Sequence, residues 1–351
     1  MAIDKSIEAL LNQDEFEMGS NGLTVTEDQE IPEDSLVTEM EDGGVLVDFD
    51  PMADEGMEED LFESNLAEFI EDSELASLAS DLVSKFDSDK DSRSDWEQTY
   101  KEGLDQLGLE IEDRTTPWAG ACGVFHPVKT HVWGKFDEDK AGQAKRVQEY
   151  LNYQLIEVMT EYRSETEKLL FSLPLAGSAF RKIYFDPSLG RPTSMFVPAE
   201  DFVVAYNEGE LSQAERYTHV MTRSTNQIKK LQVSGFYTDI ELTPSNVEDN
   251  PIREKYNEIG GVTPSYESRE KHQLLEMHVD IDLPGYEDED GVALPYVVTI
   301  DKGSNTVLAI YRNWDEEDPH RVKLQHFVHY GYVPGIGFYN LGLIHMIGGL
   351  A

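Results

Sequence analysis

Two hydrophobic periods run along this chain, and they exchange near Leu175. Before that point apolar residues recur every three or four positions; beyond it they mostly alternate. Trp96, Tyr100, Leu104 and Leu107 predict a helix, opened by the capping box Ser94-Asp95-Trp96-Glu97 and ended by Gly108. A longer helix is predicted from about Asp137 to Met159, with Ala144, Val147, Leu151, Leu155 and Val158 on its inner face. A third, from about Glu161 to Leu173, offers Tyr162, Leu169 and Leu173 for burial, and Pro174 is expected to kink or stop it.

The stretch "LLFSLPLAGSAFRKIYFDP", residues 169 to 187, then delivers the chain from helix into strand. Over Ser178–Phe185 the residues Phe180, Lys182 and Tyr184 fall on one face, and Ala179, Arg181, Ile183 and Phe185 on the other. Short strands are predicted at Ser194–Val197 and Phe202–Tyr206, around the corner Pro198-Ala199-Glu200-Asp201, and another at Arg216–Arg223. Ser224 and Gln227 form a second capping box, starting a short helix through Ile228 and Leu231 that ends by Gly235. The clearest strand is Leu275–Leu283. Its odd positions are all apolar, and Glu276, His278, Asp280 and Asp282 share the other face, expected to meet solvent. Pro295–Ile300 and Thr306–Tyr311 flank Asp301-Lys302-Gly303-Ser304-Asn305, a predicted hairpin. The class expected is α+β, long helices followed by an antiparallel meander.

Charge divides the chain. The net formal charge is −42, and residues 1–80 hold 25 acidic side chains and one Lys, against 45 acidic and 27 basic in the remainder. The first segment has too few apolar residues to offset its ordering entropy. Residues 1–85 are therefore expected to form an acidic, mostly disordered tail with a short helix near Leu61–Leu78, and residues 86–351 the folded region. Such a tail solvates the chain or docks a basic partner. The single cysteine, Cys122, leaves no intrachain disulfide possible and fits a reducing compartment. The first residues lack a basic region and a long apolar run, so no signal peptide is expected; nor does any run approach the length of a membrane span. The acidity argues against a surface that grips nucleic acid, but is compatible with one that DNA passes without sticking.

Candidate chemistry is thin. Gly134-Lys135-Phe136 lacks the upstream glycine and the Ser or Thr of a phosphate loop, and no G-x-S-x-G elbow occurs. Cys122 and His126 are four apart with no third member for a thiol–imidazole site. His320, His326 and His329 cluster, yet a strand would turn His326 and His329 to opposite faces, and no cysteine pair completes a zinc shell. Glu287-Asp288-Glu289-Asp290-Gly291 lacks the alternating spacing of a calcium loop and reads as a solvated turn. Asp280 and Asp282 suit a polar stripe as well as a hydrolase's carboxylate pair. Lys129, Lys135, Lys140, Lys145 and Arg146, then Arg181 and Lys182, sit beside acidic residues, a pattern of surface or intersubunit pairing. No catalytic, cofactor-binding or metal-binding residue is assigned.

Beyond these local patterns, "RTTPWAGACGVFHP", "LLFSLPLAGSAFRKIYFDP", "RPTSMFVPAEDFVVAYN", "THVMTRSTNQIKKLQ", "LLEMHVDIDLPGYEDEDGVALPYVVTIDKGSNTVLAIYRNW" and "FVHYGYVPGIGFYNLGLIHMIGGLA" resemble the portal, or head–tail connector, proteins of tailed bacteriophages. The resemblance covers roughly residues 90–351. It implies a non-enzymatic subunit of a homo-oligomeric ring, usually a dodecamer, at one capsid vertex. The implied partners are further copies of itself, the terminase motor, the capsid, tail or adaptor proteins, and double-stranded DNA passing through without sequence-specific binding; no membrane is implied. The implied location is the virion, and the host cytoplasm during assembly. Two departures stand out. His126-Pro127 runs straight into Val128-Lys129, where the family has a further helical stretch, and at Ala351 the family continues into the channel helices. The expectation is thus a shortened portal carrying mainly the outer wing. A metal-dependent hydrolase or nuclease using carboxylates and histidines is the alternative.

Overall fold

The computed structural model describes residues 36–39, 45–48, 62–110, 138–186, 189–243, 250–259, 271–288 and 291–347, with side chains for all of these except 36–39, 45–48, 105–110 and 138–140. In a first unit, residues 1–60, β1 (Leu36–Glu39) and β2 (Val45–Asp48) pair antiparallel. Everything else belongs to a second unit, residues 61–351.

That unit is α+β, as the two periods predict. Its elements are α1 (Asp72–Ser92), α2 (Ser94–Glu110), α3 (Glu138–Tyr153), α4 (Tyr162–Ala176), β3 (Ser178–Asp186), β4 (Arg191–Pro198), β5 (Phe202–Val203), β6 (Arg216–Ser224), α5 (Thr225–Val233), α6 (Pro251–Ile259), β7 (Lys271–Ile281), β8 (Leu294–Asp301), β9 (Thr306–Arg312), β10 (Phe327–Gly331) and α7 (Leu343–Ile347). Strands β5 to β9 form a five-stranded antiparallel meander in sequence order. A second antiparallel sheet has the order β10-β3-β4.

The odd positions of β7, namely Leu275, Met277, Val279 and Ile281, are buried with Tyr296, Val298, Ile300, Val307 and Ile310. Leu75, Ala79, Leu82 and Phe86 of α1 cover them at helical spacing. The expected tail therefore ends earlier than residue 85: the acidic side chains of α1, apart from Asp89, which is buried against Arg216, occupy its outer face while this apolar stripe closes the core. The predicted disorder of residues 1–61, apart from β1 and β2, lies outside the described residues. Asn65, buried ahead of a short 3₁₀ turn, plugs the edge strand β9: its Oδ1 accepts from Ile310 N (2.9 Å) and Ala67 N (3.1 Å), and its Nδ2 donates to Leu308 O (3.1 Å).

A second core is aromatic. Trp96, Tyr100, Phe180, Phe202, Tyr217, Phe327, Phe338 and Tyr339 are buried between α2 and the two sheets. Its hub is Arg93, the single residue between α1 and α2, which is 1% exposed. Its guanidinium donates to Ala199 O (2.9 Å), Phe202 O (2.7 Å), Glu200 O (2.8 Å) and the Tyr339 hydroxyl (2.8 Å), and pairs with Glu97 (2.7 Å). Glu97 is spent on this pair, so the predicted box at Ser94 is replaced by a helix-to-helix joint. The box at Ser224 forms, with Gln227 N donating to Ser224 Oγ (3.3 Å) and Ser224 N to Gln227 Oε1 (3.0 Å).

Two further expectations change. Pro174 lies inside α4, whose stop is Gly177 at φ +86°. A Cβ there would come within 2.3 Å of Asn340 O, so both the backbone angle and the close approach require glycine. The predicted inner face of α3 and its continuation is covered only in part: Ala144, Leu155 and Val158 are half-buried. Val147 and Leu151 are exposed, as are Tyr150, Tyr153 and Ile156, and α3 packs chiefly against its own continuation, a π turn over Gln154–Val158.

Candidate functional site

The even face of β7 was expected to meet water. Part of it meets the other sheet instead. Glu276 and His278 lie opposite His219 and Tyr217 of β6 in the ladder, and all four are buried. From β3, Lys182 reaches across the interface and places Nζ 2.6 and 2.5 Å from the two Glu276 oxygens. His278 Nε2 lies 3.2 Å from Glu276 Oε1, and Asn313 Nδ2 lies 3.5 Å from His278 Nδ1. Asn313 Oδ1 lies 3.0 Å from His326 Nε2. A neutral His278 protonated on Nε2, with His326 protonated on Nε2, satisfies every contact in this chain with a donor facing an acceptor. Aromatic rings fence it: Tyr217 stacks on His278 at 4.8 Å, and Phe327 meets His278 edge-on at 5.4 Å.

The electrostatics follow from burial. Burial alone would raise the Glu276 carboxyl, but the Lys182 ammonium and the His278 bond override it and hold it well below the usual carboxylate range. Burial pushes His278 and His219 down to about 4, so both stay neutral at physiological pH. His329 is likewise pushed to about 4 by burial, and His326 is lowered for the same reason.

The residues singled out in the sequence do not converge. Asp280 pairs with Lys323 at 2.8 Å, and Asp282 is exposed past the end of β7. His329 lies 3.1 Å from Ser178 Oγ and stacks on Phe180 and Phe338, away from His326. His320 is exposed in a turn. Asp288 pairs with Arg321. Arg181 and Lys182, expected at the surface, are interior: Arg181 donates to Thr166 Oγ1 at 2.7 Å and lies over the Tyr162 ring, tying β3 to α4. Cys122, His126, Lys129 and Lys135 lie outside the described residues. Among the described residues no group of three His, Cys, Asp or Glu side chains could hold a metal ion, and no helix is long and apolar enough to cross a membrane.

No family model matches the chain, and no curated protein matches it significantly.

A cleft of about 30 Å³ opens between Lys90, Arg93, Glu200, Asp201, Asn250 and Arg253, room for a water rather than an organic substrate. Burial there raises Glu200 to about 7. The Lys182–Glu276 network ties β3 to β7 and so sets how the two sheets meet.

Two predictions follow from the geometry. Lys182→Met leaves a buried carboxylate unpaired and should cost about 3–5 kcal/mol in chemical denaturation. The double variant Lys182→Met, Glu276→Leu should recover most of that loss, because an apolar pair removes both desolvation costs. The second concerns pH. Between about 6.5, where an unfolded imidazole titrates, and about 4, the unfolded chain binds protons that His219, His278 and His329 refuse in the fold. Stability should therefore fall as pH drops through that window, and Glu276 extends the loss below it. Glu200, raised to about 7, and its neighbour Asp201 oppose the trend because burial raises both carboxyls, but His326 and His345, also lowered by burial, add to the three histidines. Urea midpoints measured from pH 7 to pH 4 check the sign.

Proposed function

We propose that the chain is a structural subunit that self-associates into a ring, of the kind that forms the portal at a tailed-phage capsid vertex. There it would connect head to tail and give DNA a passage during packaging and ejection, meeting the terminase motor, the capsid and tail or adaptor proteins.

The observation that carries this reading is where the apolar and polar side chains went. Charged and hydrogen-bonding groups are buried as joints between elements: Arg93 between helices and the Pro198–Asp201 corner, Lys182 and Glu276 between sheets, Arg181 between β3 and α4. Large apolar groups point outward. On α3 these are Val147, Tyr150, Leu151 and Tyr153; Ile156 follows on the π turn, and Phe171, Ile183 and Phe185 add to the set on α4 and β3. A monomer gains nothing from such an arrangement, whereas a subunit covers it with its neighbours. The acidity supports the same reading, since a passage for DNA must not hold it. No specific observation favours the hydrolase.

Sedimentation velocity over two decades of concentration tests this. The expected result is a discrete species of many subunits that leaves duplex DNA unretarded at physiological salt. A monomer throughout overturns the reading.

A further inference from the structure

One buried carboxyl is left without a bond where a helix closes over it. We propose that α6 is a proton-dependent latch: it stays docked while Glu200 beneath it holds a proton, and it loosens when that proton leaves. The latch does not depend on how the chain associates.

Glu200 sits in the Ala199–Asp201 turn between β4 and β5 and is 8% exposed. Its Oε2 is buried with no hydrogen-bond partner. Its backbone carbonyl, by contrast, accepts twice, from Arg93 (2.8 Å) and from Asn250 Nδ2 (3.2 Å). A turn held at that carbonyl keeps the carboxyl inside.

The cover comes from α6. Asn250, just ahead of the helix, and Arg253 line the cleft beside Glu200. Arg253 pairs with Asp201 at 2.5 Å, Ile252 enters the aromatic core, and the Tyr256 hydroxyl meets that of Tyr100 on α2. Lifting α6 therefore opens Glu200 and Asp201 to water together.

The groups that face the carboxyl are committed elsewhere. Arg253 is taken by Asp201. The Nη atoms of Arg93 are held by the Ala199, Glu200 and Phe202 carbonyls, the Tyr339 hydroxyl and Glu97. Tyr100 and Tyr256 bond to each other. Lys90 on α1 lines the cleft without a bond to Glu200, and β6 and β7 add only the uncharged Thr222 and Gln273. Against these stands Asp201, a like charge on the next residue. Burial, with Asp201 adding to it, raises the Glu200 carboxyl to about 7, and burial raises Asp201 as well. With Lys90, Arg93 and Arg253 around the cleft, a proton neutralises this site more readily than a metal ion does.

The sign follows from linkage. Once α6 lifts, Glu200 meets water and ionises near 4.5, so the docked state binds the extra proton. Docking is strongest below that value, weakens as pH rises to about 7, and levels off above it. The histidines give the whole fold the opposite trend, so local and global opening can be told apart.

Amide hydrogen exchange of the full chain, read by mass spectrometry and corrected for the intrinsic rate at each pH, tests this. In the wild type the α6 amides should open about thirtyfold more often at pH 8 than at pH 5.5, while those of β7 should not. Glu200→Gln should remove the dependence and keep α6 closed across the range. Asp201→Asn removes the like charge and frees Arg253, so the rise should level off at a lower pH; this variant decides the matter if circular dichroism shows Glu200→Gln to be misfolded. Protection of α6 that is flat or increases with pH in the wild type overturns the proposal. So does a rise that survives in Glu200→Gln, or one that levels off at the same pH in Asp201→Asn.

Discussion

A buried ammonium meeting a buried carboxylate allows very few ways for two sheets to pack. Lys182 and Glu276 come from strands 94 positions apart in the chain, and each is stable inside the protein only in contact with the other. Sliding β3 by one residue against β10 and β4 would turn Lys182 to the opposite face and bring Arg181 or Ile183 against the carboxylate. The pair therefore acts less as a source of stability than as a condition on register. The imidazole of His278, the amide of Asn313 and the imidazole of His326 extend that condition from β7 through the segment after β9 to the start of β10. Arg93 does the same for the helices, since its donors are placed on four backbone and side-chain oxygens at once.

Joints of this kind suit the ring proposed above. Each copy has to present two surfaces at a constant angle, or the ring fails to close. In the network the Glu276 carboxylate is ionised and paired, and burial holds the His278 and His219 imidazoles neutral.

Much of this was legible in the residues, and the failures share a cause. The apolar face of β7, the β8–β9 hairpin and the box at Ser224 were readable because each depends on local spacing. The even face of β7 was not. Glu276 and His278 alternate with apolar residues in the same way whether they meet water or a lysine from another sheet, and period alone cannot tell the two apart. The stripe of Leu75, Ala79, Leu82 and Phe86 was hidden by the acidity of the segment that precedes it, which composition counts together with the stripe and geometry separates. Glu97 had two possible partners, Ser94 N–H and a guanidinium, and the nearer charge took it. On α3 the period was read correctly and its meaning was not. An apolar stripe calls for a cover, and sequence does not say whether the cover belongs to the same chain.

That last ambiguity is where the account stands or falls, and imaging the particle addresses it most directly. Negative-stain micrographs of the purified chain should show closed rings with rotational symmetry and a central opening, in one stoichiometry that does not change with concentration. Single copies, or open filaments of graded length, would contradict it.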